Sequence, residues 1–96
     1  MISGVTEKEE AIIKEILRGY PYEFYYYGSR VKGDFTKASD LDILVKSKES
    51  VDYLILAVLE REFNESKIPY RVNLSDYSQM DNSFYKLIEP TLVKVF

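Results

Sequence analysis

Tyr27-Gly28-Ser29-Arg30-Val31-Lys32-Gly33, and after a short loop Ser39-Asp40-Leu41-Asp42-Ile43-Leu44-Val45, decide how the rest of this chain is read. Asp40 to Lys46 alternates as a strand does, with Leu41, Ile43 and Val45 on one face and Asp40, Asp42 and Leu44 on the other. Residues two apart in a strand share a face, so Asp40 and Asp42 aim their carboxylates at one volume. Like charges held that close repel, and each tends to keep a proton unless a cation lies between them. Hard oxygen donors with no imidazole or thiol suit magnesium, which takes one or two carboxylates together with substrate phosphate oxygens. Taken alone, an Asp-x-Asp pair reads as an exposed strand face with incidental acids.

The glycine-serine turn changes that reading. Tyr22 to Tyr27 is an aromatic run that reads as a strand, and Gly28 stops it. Without a Cβ, Gly28 lets backbone approach a ligand closely. Ser29 adds a hydroxyl, and the amides that follow form an anion-binding nest or open a short helix. The ten residues from Arg30 to Ser39 bring the chain back, so the second strand pairs beside the first. The turn then faces the paired aspartates, with phosphates between them.

The remaining elements follow from periodicity. Thr6 and Glu9 form a capping box that opens a helix over Glu7 to Arg18, its inner face Ile12, Ile13, Ile16 and Leu17. Gly19 and Pro21 end it. Val51, Leu54, Ile55, Val58, Leu59 and Phe63 recur at helical spacing, giving an amphipathic helix from Ser50 to about Ser66. Pro69 marks a turn, Tyr70 to Leu74 reads as a third strand, and Asp81 or a neighbour caps a last helix whose inner face is Phe84, Leu87 and Ile88. The tail from Thr91 to Phe96 is a further strand or lies against a partner. This order predicts an α+β fold, a small mixed β-sheet with helices packed on it, in a single domain over residues 1–96.

Composition removes whole classes of chemistry. The chain has no cysteine and no histidine, which excludes Ser-His-Asp and Cys-His catalysis, histidine bases, disulfides and thiol- or imidazole-bound metals. Catalysis must run on carboxylates, hydroxyls, Lys, Arg and hard metal ions. The amino end is polar and acidic, unlike a secretory signal, and no apolar run approaches a membrane span, so the expected location is cytoplasmic. A net charge of -3, with cations clustered only at Arg30, Lys32 and Lys37, disfavours a polynucleotide substrate, whose grip needs a basic stripe. Nine tyrosines, three of them consecutive at Tyr25 to Tyr27, fill a sheet or reach an interface.

The two quoted segments together resemble the signature of the polymerase-beta nucleotidyltransferase superfamily. More narrowly, they are similar to the minimal nucleotidyltransferases, with their Gly-Ser-Arg-x-x-Gly and Ser-Asp-apolar-Asp motifs. The resemblance implies the fold of that superfamily. Gly28 and Ser29 would hold the outer phosphates of ATP, Arg30 would help with phosphate charge, and Asp40 and Asp42 would ligate two Mg2+ ions. A hydroxyl would attack the α-phosphorus and release pyrophosphate. Minimal nucleotidyltransferases of this kind pair with a helical HEPN protein as toxin–antitoxin modules, and the antitoxin adds AMP to a tyrosine hydroxyl of the toxin.

One position departs from the pattern. The third carboxylate of the superfamily lies on the strand after the long helix, and the matching stretch here is Val72-Asn73-Leu74-Ser75-Asp76. An amide cannot take a proton from an acceptor hydroxyl. The enzyme is then slow, or Asp76 replaces the missing group, or the domain binds nucleotide without turning it over. Beside the protein-modifying transferase stand two rival classes. One is an antitoxin that acts by covering its partner. The other is an aminoglycoside-type transferase acting on a small molecule, with a composite site in a homo-oligomer.

Overall fold

The computed structural model describes residues 2–96. Its elements are α1 (Glu7–Leu17), β1 (Glu23–Tyr27), α2 (Ser29–Lys32), β2 (Leu41–Lys46), α3 (Tyr53–Glu65), β3 (Val72–Asp76), α4 (Asn82–Ile88) and β4 (Val93–Lys94). Short 3-10 turns at Tyr77–Gln79 and Glu89–Thr91 flank α4. The strands form one mixed sheet in the order β3-β2-β1-β4. β1 runs antiparallel to β2 and β4, and β2 runs parallel to β3. The expected α+β arrangement is the observed one.

The helix ends show why these segments are helical. At α1 the Thr6 Oγ1 accepts from the Glu9 amide at 3.1 Å, and the Thr6 amide donates to Glu9 Oε1 at 3.0 Å. These reciprocal bonds satisfy two donors that a helix start leaves free. Asp52 caps α3 by accepting from the Leu54 amide at 2.9 Å, and Asp81 caps α4 by accepting from the amides of Ser83 and Phe84. Val51 therefore lies ahead of α3 rather than inside it, and its amide donates to Asp76 Oδ2 at 3.2 Å.

The alternation of β2 splits the interior in two. Leu41, Ile43 and Val45 pack with Phe24 and Tyr26 against Ile13 and Leu17 of α1 and Leu59 and Phe63 of α3. On the opposite face Leu44 joins Tyr27, Tyr85 and Ile88 under α4. Each large apolar side chain buried in this way contributes roughly 1.5–3 kcal/mol. Asp42 shares the face of Leu44 and sits at the open end of that second layer.

Three sequence expectations need correction. Leu54 and Val58 are 58% and 39% exposed, because α3 turns Leu59 and Phe63 fully inward with Ile55 and Leu56 half-buried beside them. In α4 the inner residues are Tyr85 and Ile88, while Phe84 and Leu87 are exposed. The third strand starts two residues late, because pairing with β2 sets its register, Leu41 opposite Val72 through Val45 opposite Asp76. Of the two readings of the tail, the strand is observed. β4 pairs with β1, Val93 opposite Tyr26 and Lys94 opposite Tyr25.

Candidate active site

The site is built where β1 ends and β2 begins. Gly28 leaves β1 with φ 86° and ψ -161°, a conformation open in practice only to glycine. Its carbonyl accepts from the amides of Val31 and Lys32, both at 3.1 Å, and the Ser29 carbonyl accepts from Gly33 at 2.9 Å. Residues Ser29–Lys32 thus make one helical turn, closed by Gly33 at φ 93°. The amides of Ser29 and Arg30 open that turn, where no carbonyl of the helix can reach them. This is the short helix start anticipated after the Gly-Ser pair.

Asp42 lies beside this turn, opposite Tyr27 on β1 and Asn73 on β3. A Cβ placed on Gly28 would stand 2.3 Å from Asp42 Oδ2, so turn and carboxylate are in direct apposition. Asp40, one residue ahead of β2, points into the same space. The Asn73 Nδ2 donates to Asp40 Oδ2 at 3.0 Å and to Asp42 Oδ1 at 3.3 Å. Glycine turn, acid pair and third position therefore meet.

Burial holds the Asp42 carboxyl above the ordinary carboxylate range. The bond from Asn73 opposes that shift, and the neighbouring Asp40 charge adds to it. A cation would relieve both the burial penalty and the repulsion. Two carboxylates are oxygen donors that fit magnesium, and Asp40 and Asp42 would hold it. Among the described residues no third acid joins them, since no cluster of three possible metal-binding acids occurs.

Two candidate residues do other work. Arg30 does not face the turn. It is 4% exposed and donates to the carbonyls of Gly4 at 2.7 Å, Ser39 at 3.0 Å, and Thr36 and Lys37, each at 3.3 Å. Its guanidinium carbon lies 3.7 Å from the Tyr70 ring centroid. The guanidinium is committed to folding the Arg30–Ser39 loop, which corrects its assignment to phosphate. Asp76 is opposite Val45 at the far end of β3 and buried, accepting from the amides of Val51 and Ser78. It does not stand in for the missing carboxylate. Lys32, at the end of α2, and Lys37, in the loop after it, are exposed.

Sequence reasoning missed a supporting pair. The Tyr27 hydroxyl and Ser75 Oγ share a 3.0 Å hydrogen bond, although Tyr27 is on β1 and Ser75 on β3. The phenol crosses the intervening β2 strand beside Asp42 and forms part of the floor of the site. Burial raises the Tyr27 pKa, the Ser75 bond lowers it and the Asp42 charge raises it. The available signal was parity: Asn73 and Ser75 are two apart on one strand, so they share a face.

Comparison with known proteins places the chain in a family. The model of the nucleotidyltransferase domain family matches residues 9–96. The "Probable protein adenylyltransferase MntA" of Haemophilus influenzae is 37% identical over 93 residues, covering 95% of this chain and 82% of that protein. The crystal structure of a toxin–antitoxin with AMP-PNP superposes with a TM-score of 0.76 over 91% of this chain and 72% of the matched one. At 21% identity that likeness speaks for the fold alone. The Gly-Ser turn, the aspartate pair and the order of strands that brings them together have a common explanation: this chain belongs to the nucleotidyltransferase domain family, and it is a nucleotidyltransferase.

Proposed function

We propose that this chain transfers AMP from ATP, in the presence of magnesium, to a hydroxyl on a partner protein, and that it serves as the antitoxin of a HEPN-type pair. The observation that carries the proposal is the apposition of the Gly28 turn and the Asp42 carboxylate, 2.3 Å from where a Cβ would be. Phosphates seated on the turn lie next to the acid pair. Protein adenylylation is supported by the name of the Haemophilus influenzae relative. A paired protein is supported by the toxin–antitoxin whose fold this chain shares.

In this mechanism the amides and hydroxyl of the Gly28-Ser29 turn seat the outer phosphates, and Asp40 and Asp42 would hold magnesium. When bound, the metal would supply neutralisation of the charge that develops on the triphosphate. The acceptor oxygen forms a bond to the α-phosphorus, and the bond from that phosphorus to the bridging oxygen breaks. The electron pair leaves with pyrophosphate. Asn73 cannot accept the hydroxyl proton, so that proton passes to water. Tyr27, Asp42 and Asn73 lie side by side on adjacent strands at this face, and in this reading the partner presents its own hydroxyl there.

The test is labelling of a co-purified partner from ATP labelled in its α-phosphate, with and without magnesium. Wild type should label the partner and Asp40→Ala should not. Labelling that survives Asp40→Ala would overturn the proposal. A second reading, an antitoxin that binds nucleotide and acts by covering its partner, is favoured by Asn73 in the third position. Neutralisation of the partner that persists in Asp40→Ala would select it.

A further inference from the structure

We infer that the site takes one divalent ion with its nucleotide, not the two that the family resemblance implies, and that the Asn73 carboxamide sets this number. The inference rests on the nucleotide-transfer reading above and deepens it.

Only Asp40 and Asp42 offer negative charge at this place, because no third acid joins them among the described residues. An ion that bridges the phosphates takes most of its ligands from phosphate oxygens and water, and needs one or two carboxylates. The pair provides those. A second ion would depend more on protein charge, and would have to share the same two carboxylates with the first. The residue placed to complete its shell is Asn73, directly opposite Asp42, which brings a dipole where the superfamily brings a charge.

The hydrogen bonds point the same way. Nδ2 of Asn73 reaches Asp40 Oδ2 and Asp42 Oδ1 at 3.0 and 3.3 Å, so the positive end of the amide already lies against both acids. To ligate an ion there, the amide must turn about its last torsion and present its oxygen. That turn gives up both bonds and sets the amide oxygen near two carboxylates, without the gain of a full charge. Asp76 cannot compensate, being held by the amides of Val51 and Ser78 at the other end of β3.

Titration of the full chain with Mn2+ at saturating AMP-PNP, followed by electron paramagnetic resonance, tests this. Wild type should take up one ion per chain tightly, with any second ion at least about tenfold weaker, given the size of a lost unit charge at contact distance. Asn73→Asp should bring the second ion to comparable affinity, and Asn73→Ala should leave the count at one. Two ions of comparable affinity in wild type would overturn the inference while leaving nucleotide transfer intact. A single ion in a folded Asn73→Asp would remove Asn73 as its cause. A chain that takes up neither AMP-PNP nor nucleotide-dependent Mn2+ would overturn both readings. The wild-type count decides the matter even if a variant fails to fold.

Discussion

Gly28 and Asp42 leave no room between them for another carbon: a methyl on the glycine would lie 2.3 Å from the carboxylate oxygen. The glycine also holds φ 86° and ψ -161°. Gly28→Ala therefore meets two penalties, backbone strain of about 1–3 kcal/mol and displacement of the carboxylate that the proposed reaction uses to hold magnesium. Denaturant titration should show a loss of about that size. Partner labelling should fall by more than tenfold, because misplaced reacting groups cost on the order of 10² in rate.

Arg30 should behave as a structural residue. Truncating it strands four carbonyls, those of Gly4, Thr36, Lys37 and Ser39, and removes the cation stacked on Tyr70. We expect Arg30→Ala to cost about 2–4 kcal/mol of stability by urea denaturation. Arg30→Lys should recover little, since an ammonium cannot reach four acceptors in a planar fork. Nucleotide affinity of the fraction still folded should change by less than threefold. A large loss there would return Arg30 to the phosphates.

Asn73→Asp should speed transfer. A carboxylate in this position can accept the acceptor proton, and a positioned base is worth about 10²–10⁴ in rate. Single-turnover labelling at saturating ATP would show the gain as a faster chemical step with the same partner affinity.

Asp42 gives a pH signature to the metal-free chain. Its folded pKa is raised, chiefly by burial, so the folded state binds the proton more tightly than the unfolded state does. Stability linked to this group is fully present below the ordinary carboxylate pKa and is lost as pH rises through the raised folded value. Asp42→Asn removes that loss. Thermal melts in chelator should show the variant more stable than wild type near neutral pH, with the difference shrinking as pH falls below the ordinary carboxylate range. Added magnesium with nucleotide should stabilise wild type but not the variant.

Much of this was legible because the decisive interactions are local. The Thr6–Glu9 box lies within one turn, the alternation of Leu41, Ile43 and Val45 within one strand, and the same-face placement of Asp40 and Asp42 needs only strand parity. Asn73 was read as the third position by likeness to a family motif, and the parallel register sets it opposite Asp42. What stayed hidden depends on distant chain. Arg30 reads as a phosphate ligand beside Gly28-Ser29, and only contacts with Gly4 and Tyr70 show otherwise. In α3 and α4 two adjacent apolar stripes compete for the interior. Periodicity reports that a face exists, but the neighbours choose between Leu54 and Ile55, or between Leu87 and Ile88.

The contact between Gly4 and Arg30 has a practical side. The Gly4 amide donates to the Arg30 carbonyl at 3.0 Å, the Arg30 guanidinium returns a bond to the Gly4 carbonyl, and Ile2 and Val5 are buried alongside. The amino-terminal segment is thus stitched to the loop that follows the Gly28 turn. A purification tag fused ahead of Ile2 would tug on that loop. Phe96 is 53% exposed and distant in sequence from that loop, while Val95 beside it is buried with its amide donating to the Phe24 carbonyl at 3.0 Å. A handle for a sensor or resin attached at the Phe96 side chain would therefore leave the loop's bonds to Gly4 untouched.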